Sequence, residues 1–386
     1  MPSKARAALV AAVLAVGATA TAGPAQAAAP PDIHAHRGGT VVNGKPTYAE
    51  ETLDAYRSAA TNGFVFEVDA KLTSDGVPVA IHDATLDRTT TCTGEVRSFT
   101  RAALRGCRPD VLGSPGGGLP TRTVTPRGSI PTIAEVLELA RVTGAKVNLE
   151  IKNLPTDPDW DPTYAYADRV MDVVKAAGLK RSQILIQSFI PGNLDAAKRS
   201  LRGVQTSLLT IPAGSNEITI AEDKGYTWLS PQWPFTSAFV GEAHRAGKRV
   251  APYTVNTSAD VKAAALAKVD ALITDDPLMA ATALGLRAPK RLKTKFRHDR
   301  GGVTAGGRVQ LPRGVPRRTG CKGTITLRVL GAGQAVRQAS VRMERDCTYF
   351  VALPLPRKWP AHPQATIGFG GNERLLPRLI GPRQLR

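Results

Sequence analysis

Between Asp32 and Asp276, short apolar runs of strand length alternate with longer amphipathic ones, and this alternation limits the possible folds more than any other feature of the chain. The strand-like runs are DIHAH (32–36), FVFEVDA (64–70), VPVAIHD (77–83), KVNLEIK (146–152), QILIQSF (183–189), VQTSLLT (204–210), YTWLSPQ (226–232), RVAPYTVN (249–256) and ALITDD (271–276). Between them, TIAEVLELARVTG and YAYADRVMDVVKAAG carry apolar residues at three- and four-residue spacing and end in glycine, as amphipathic helices do. Strand, helix, strand repeated over about 250 residues points to an α/β fold, a parallel (β/α)8 barrel of the TIM type. Nine runs compete for eight places. The link from EVDA to VAIHD is too short for a helical crossover, so irregular topology is expected there.

The chain around this unit divides by charge. Residues 290–386 carry 21 Lys and Arg against 4 Asp and Glu, a surplus of +17 in a chain whose total is +19. Lys4 and Arg6 account for the rest, so the stretch from Ala28 to Pro289 is balanced. Those two cations precede an apolar run, Ala7–Ala18, and a small-x-small site at Ala25-Gln26-Ala27. Residues 1–27 therefore read as a signal peptide cut near Ala27, and the protein as secreted; a membrane anchor would need about 20 apolar residues. The division expected from these signals is a barrel over 28–287 with an insertion at about 92–130, a basic linker over 288–302, and a basic domain over 303–386. Four cysteines in an exported chain favour disulfides over thiolate metal ligation, for which no C-x-x-C is present. Local spacing favours Cys92–Cys107 and Cys321–Cys347, although four cysteines permit three connectivities.

The polar residues within the strand-like runs are not scattered. His36 and Arg37, Glu67 and Asp69, His82 and Asp83, Glu150 and Lys152, and Gln187 and Ser188 each close an otherwise apolar run. The C-terminal end of the strands is where barrels carry their active sites. Glu67 and Asp69 are two apart on a strand and share a face, and two adjacent carboxylates repel unless a cation or proton lies between them. With Glu150 from a neighbouring strand they make an all-oxygen set suited to Ca²⁺ or Mg²⁺; a carboxylate pair salt-bridged to Arg37 or Lys152 fits the spacing equally. His36 and His82 supply two imidazoles for general acid and base work, and Arg37 and Lys152 match the charge and oxygens of a phosphate. The combination points to cleavage of a phosphodiester.

The ordered set HRGG, YAEETLDAYRSAATNGFVFEVDAKLTSDGVPVAIHDATLDRTTTCTG, NLEIK, IQSF and ALITDDP resembles the glycerophosphodiester phosphodiesterases, from about Ile33 to Pro277. The resemblance implies a phospholipase-C-like barrel in which His36 and His82 are acid and base and Glu67, Asp69 and Glu150 hold a divalent metal. It further implies that Arg37 and Lys152 contact phosphate, that Glu50 lies near metal and substrate, and that Gln187, Phe189 and Tyr253 line the substrate pocket. The implied reaction is metal-dependent hydrolysis of a small glycerophosphodiester to glycerol 3-phosphate and an alcohol. Its course would run through a cyclic phosphate formed by the substrate's own 2-hydroxyl. Two motifs depart from the family pattern. Ala49-Glu50-Glu51-Thr52 stands where the family has Pro-Glu-Asn-Thr, which alters charge and hydrogen bonding near the metal, and Tyr253 stands where a tryptophan is usual.

The segment after the second histidine, RPDVLGSPGGGLPTRTVTPRG, resembles the insertion that the family places above the barrel mouth. The C-terminal runs GTITLRVL, QASVRMERD, TYFVALPL and QATIGFGG alternate and are rich in β-branched residues, the signature of a small β-sandwich. Its surplus charge suits an anionic cell-wall polymer or lipid surface. A solvated basic surface is the plainer reading. Nucleic acid is not expected, since aromatics for base stacking are few. Two rival functions remain: a lysophospholipase D-like or teichoic-acid phosphodiesterase, which the basic domain favours, and a non-catalytic polyanion-binding protein, which the complete histidine and carboxylate set disfavours.

Overall fold

The computed structural model describes residues 30–112, 121–122, 127–299, 301–331 and 335–385. The leader expected over residues 1–27, and much of the insertion's glycine- and proline-rich part, lie outside the described residues. No helix among those described is long and apolar enough to cross a membrane.

Eight strands run parallel in one curved sheet: β1 (Asp32–Ala35), β2 (Val65–Leu72), β4 (Val147–Ile151), β5 (Ile184–Ser188), β6 (Gln205–Thr210), β7 (Trp228–Pro231), β8 (Arg249–Val250) and β9 (Ala271–Thr274). Their spatial order is β8-β7-β6-β5-β4-β2-β1-β9. The ring continues past its ends through Asp270 N–H to Val250 O and Val255 N–H to Ile273 O, each 2.9 Å. Helices α1 (Leu53–Asn62), α2 (Ile133–Thr143), α3 (Ala165–Ala176), α4 (Pro191–Ser200), α5 (Ser215–Asp223), α6 (Ser237–Arg245) and α7 (Ser258–Leu266) connect these strands, and α8 (Pro277–Ala283) follows the last. Their starts are specified locally. Thr52 caps α1, and Thr132 with Glu135 forms a capping box on α2.

The ninth strand-like run is β3 (Pro78–Ala80), and it is antiparallel to β2, with Ala70 opposite Ala80. A turn through Gly76, at φ +73°, folds the chain back in too few residues for a crossover. The hairpin returns His82 to the level of the metal-ligand candidates, since Ile81 N–H bonds the Asp69 carbonyl at 3.1 Å. The described part of the insertion has a small core of its own, contrary to its glycine-rich look. Val79, Ile81, Leu86, Val96, Leu104 and Ile130 pack around the Cys92–Cys107 disulfide.

The C-terminal part is a two-sheet β unit. One sheet has the order β10 (Arg291–Asp299), β11 (Gly302–Gln310), β14 (Thr348–Pro354). The other runs β13 (Val336–Arg342), β12 (Thr324–Leu330), β15 (Gln364–Phe369), β16 (Arg378–Gln384). All pairs are antiparallel, the inward residues form one apolar core, and Cys321–Cys347 is the second disulfide. Within the basic stretch expected as a linker over 288–302, residues 291–299 form a strand instead. Arg291–Asp299 alternates, with Leu292 buried and Phe296 half-buried, and pairs with β11 along its whole length. The outward cations hide this pattern in the sequence.

The β unit packs against the end of the barrel where the helices finish and the strands begin. Pro377 lies so close to Gly63, the left-handed C-cap of α1, that a side chain there would meet it at 2.4 Å. The Arg328 guanidinium sits over Gly144 and donates to Thr143 O at 3.1 Å, a cation at the carbonyl end of α2. Arg378 donates to Asn62 Oδ1, and Leu376 is buried within the barrel's own core cluster. The opposite end, with its strand-to-helix loops, is left uncovered by the β unit.

Candidate active site

Strand period and register together determine which side chains meet. Parallel pairing places Asp69 beside Glu150 and Glu150 beside Gln187, with Glu67 beside Asn148 one pleat lower. Alternation keeps Glu67, Asp69 and Lys71 on one face of β2, toward the barrel interior. His36 and Arg37 follow β1 in a tight turn made possible by Gly38 and Gly39, at φ +93° and +78°. A side chain on Gly38 would meet Ala55 Cβ at 2.6 Å. That turn aims the Arg37 amide at Glu67, whose Oε2 accepts it at 2.9 Å.

Glu67, Asp69 and Glu150 each offer a carboxylate oxygen within 4.8 Å of the others, and all are buried. Burial, then repulsion by Asp69, pushes Glu67 up to about 7. Burial pushes Glu150 up to about 8, with Asp69 adding to it and Lys152 opposing. Asp69 goes the other way despite its burial, because Lys152, His82 and Arg37 face it. Asp69 Oδ2 and Glu150 Oε1 make no hydrogen bond, though each lies 3.4 Å from a cation, Arg37 Nε and Lys152 Nζ respectively. Two carboxylate oxygens without a hydrogen bond in an all-oxygen triad fit a hard divalent cation, which would be held by these three residues.

The two histidines are each held by a carboxylate at Nδ1. His36 bonds Asp275 Oδ1 at 2.6 Å, and Asp275 is held by Asn256 at 2.6 Å. Burial and Arg37 disfavour charge on His36, but Asp275, by charge and hydrogen bond, and Glu67 outweigh them and raise it. His82 bonds Asp83 Oδ1 at 2.6 Å, and its Nε2 meets Lys152 Nζ at 2.9 Å. An ammonium only donates, so Nε2 accepts and the ring is neutral. Burial and Arg37 hold His82 down to about 4. The two imidazoles are thus shifted in opposite directions.

Several partners were not singled out from the sequence. Asp275 and Asn256 stand in the ITDD and TVN motifs without an assigned role. Arg88 grips Glu50 with both terminal nitrogens, at 2.7 and 3.0 Å, and donates through Nε to Asp83 at 2.6 Å. Arg37 reaches Glu50 at 3.1 Å and lies 3.4 Å from Asp69. Glu50 therefore belongs to an arginine network and lies outside the carboxylate triad. Glu51, the departure from the family pattern, is buried and accepts from the Asp69 amide at 3.0 Å and from the Tyr56 hydroxyl. Burial and the charges of Asp69 and Glu67 hold its carboxyl well above the usual range.

Gln187 differs from the expected pocket role. It is buried, donates to Glu67 Oε1 at 2.7 Å and accepts from Asn148 at 2.8 Å, so it orients a metal-ligand candidate from below. Phe189 and Tyr253 do meet, edge to face at 6.0 Å, and both are half-buried. Lys71 is wholly buried. Its ammonium bonds the Lys152 carbonyl at 2.8 Å, Asp157 at 2.5 Å and Asp159 at 3.1 Å. It thereby ties the loop after β4 to the strand that carries Glu67 and Asp69.

Known proteins are similar to this chain in sequence and in fold. The glycerophosphodiester phosphodiesterase of Bacillus altitudinis is 29% identical over 253 residues, which cover 64% of this chain and 94% of that protein. That of Caldanaerobacter subterraneus is 27% identical over 247 residues, 63% of this chain and 93% of that protein. A phosphodiesterase of Oleispira antarctica, solved in complex with the product sn-glycerol-3-phosphate, superimposes with a TM-score of 0.55 at 22% identity, covering 66% of this chain and 97% of that one. The model of the glycerophosphoryl diester phosphodiesterase family matches residues 36–279, the span that contains the carboxylate triad, both histidines and their partners, and the chain belongs to that family.

Proposed function

We propose that this protein hydrolyses small glycerophosphodiesters to glycerol 3-phosphate and an alcohol, in a metal-dependent reaction with His82 as first base and His36 as first acid. The observation that carries this reading is the pair of imidazoles, each fixed at Nδ1 by a carboxylate, flanking the Glu67–Asp69–Glu150 triad. A divalent cation held by the triad would supply Lewis-acid stabilisation of charge on the phosphoryl oxygens. The chain's own groups do the rest. Arg37 and Lys152 hold the phosphate by charge-assisted hydrogen bonds, and the phosphate thereby draws the Lys152 ammonium off His82 Nε2. His82 Nε2 takes the proton of glycerol's 2-hydroxyl, whose oxygen attacks phosphorus. The bond from phosphorus to the alcohol breaks, and His36 gives its proton to the departing oxygen. Water then opens the cyclic phosphate with the roles reversed: His36 takes the water's proton, and His82 returns one to O2. The Phe189–Tyr253 pair would receive the departing alcohol.

The complex of the Oleispira antarctica protein with sn-glycerol-3-phosphate supports this product. The test is glycerol 3-phosphate release from a panel of glycerophosphodiesters with Ca²⁺, with Mg²⁺ and with chelator, for the parent chain, His36→Ala and His82→Ala. Metal-dependent release that both substitutions abolish is expected; near-normal turnover by either variant would overturn the assignment. A second reading, hydrolysis of a lysophospholipid or of a glycerol-phosphate wall polymer, is favoured by the +17 surplus of residues 290–386. Secretion through residues 1–27 belongs to the same proposal, and N-terminal sequencing of the exported protein tests it.

A further inference from the structure

A concavity of about 1010 Å³ lies in the β unit, away from the barrel mouth. It runs between β10 and β16, the edge strands that the two sheets bring side by side. Arg291, Lys293, Lys295, Arg308, Arg378 and Arg383 line it, and no Asp or Glu does. Arg378 is engaged by Asn62, and Arg308 has an exposed contact with Asp346 at 3.3 Å. Among the described residues, Arg291, Lys293, Lys295 and Arg383 form no ion pair. Lys293 lies directly opposite Arg308 in the ladder, a like-charge pairing that works against the sheet. Six cations around one hollow, four of them without an ion pair, leave a repulsion that an anionic ligand or salt relieves.

The arrangement says more than that the ligand is an anion. Arg291, Lys293 and Lys295 are exposed at alternate positions of one edge strand, so their charges recur at ~6.8 Å along a line. Arg383 and Arg378 face them from the other wall. A single phosphate would use one or two of these groups. A linear polyanion with regularly spaced charges would use all of them, and phosphodiesters bridged by a short polyol recur at a comparable interval. Apolar Leu379 and Ile380, which also line it, suit the carbon bridges. The cations sit inside a hollow, a shape for a strand and not for a bilayer surface. We propose that this groove is a binding site for a linear poly(polyol phosphate), independent of the reaction at the barrel mouth.

The experiment uses the full mature chain and poly(glycerol phosphate) as probe, with binding followed by calorimetry across a salt series. Six contacts predict a slope of log affinity against log salt of about −4, by the rule for flexible polyanions. Lys293→Glu/Lys295→Glu/Arg383→Glu should lower affinity at least about 30-fold and flatten the slope by about 2. Lys293→Gln/Lys295→Gln should lose less, in the same direction. Arg317→Glu/Arg318→Glu/Lys358→Glu, outside the groove, should bind nearly as the parent does. Glycerophosphocholine turnover should be unchanged throughout, and no variant should have a lower thermal midpoint than the parent. Equal losses from both charge-reversed sets would reduce the effect to net charge and overturn the proposal. So would unchanged binding by the groove variants, or groove-dependent binding of phosphatidylglycerol vesicles without binding of the polymer.

Discussion

Replacing Asp275 with asparagine keeps the side chain's shape and removes the negative charge that faces His36 Nδ1 at 2.6 Å. That charge and hydrogen bond are what hold the imidazole above its ordinary range against burial and Arg37. A hydrogen bond to a charged group contributes about 1.5–3 kcal/mol, which at 1.36 kcal/mol per unit is about 1–2 pH units. An acid must carry its proton, so the alkaline limb of kcat/KM reports His36 and should move to lower pH by about that amount. At a pH on that limb, turnover should fall about 10- to 100-fold and recover as the medium is acidified. The acid limb reports His82, which must be unprotonated, and should stay where it is. The assay is glycerol 3-phosphate release from glycerophosphocholine at saturating metal across the pH range. An alkaline limb that does not move would refute the coupling of Asp275 to the acid. A shift confined to the acid limb would exchange the roles of the two histidines.

Four further outcomes are expected. In metal-free protein Glu67 and Glu150 titrate at about 7 and about 8, above the 4.5 of an ordinary glutamate. Their contribution to stability is therefore present below about pH 4.5 and lost as pH rises to about 8, so Tm should fall across that window; a flat profile would count against the crowded triad. Saturating Ca²⁺ or Mg²⁺ at a hundredfold excess over Kd should restore about 2.7 kcal/mol, most visibly at the alkaline end, as urea titrations would read. Lys71→Met removes the cation between Asp157, Asp159 and the Lys152 carbonyl; about 3–5 kcal/mol of unfolding free energy should be lost, with a fall in kcat that Lys71→Arg partly rescues. Cys92→Ser/Cys107→Ser opens a loop of separation 15 and should lower stability by about 3 kcal/mol by denaturant melt, while a parent-like midpoint would assign the insertion's order to its apolar core alone.

The barrel and its chemistry were legible where strand period carries the information. Glu67, Asp69, Glu150 and Lys152 could be placed on shared faces by counting residues, and the register then set Asp69 beside Glu150. The reversal at Gly76 was legible as an anomaly, because a link that short excludes a crossover. The partners that fix the histidines were not. Asp275 lies 239 residues from His36, and nothing local marks it as the orienting carboxylate. Gln187 looked like a mouth residue because it ends a strand, but its neighbours across the sheet, Glu67 and Asn148, engage both ends of its amide. Strand β10 was missed for a different reason: its inward residues, Leu292, Thr294 and Phe296, alternate with cations whose density reads as a solvated joint. Strand β16 gave no signal, being interrupted by Gly381 and Pro382, which an edge strand tolerates.

The docking of the β unit beneath the barrel makes the two parts mechanically inseparable while leaving their working surfaces apart. Leu376 completes the barrel's apolar base, Pro377 fills the hollow over Gly63, and Arg328 closes the end of α2. Cutting the chain before residue 290 would strip the barrel of its floor, so a truncated enzyme would report a wounded barrel as well as a missing module. In the intact chain the foundation faces one way and the catalytic mouth the other. A molecule anchored by its base can keep its mouth open to diffusing substrate, and point substitutions in the groove, which spare the foundation, are the means of separating anchorage from turnover.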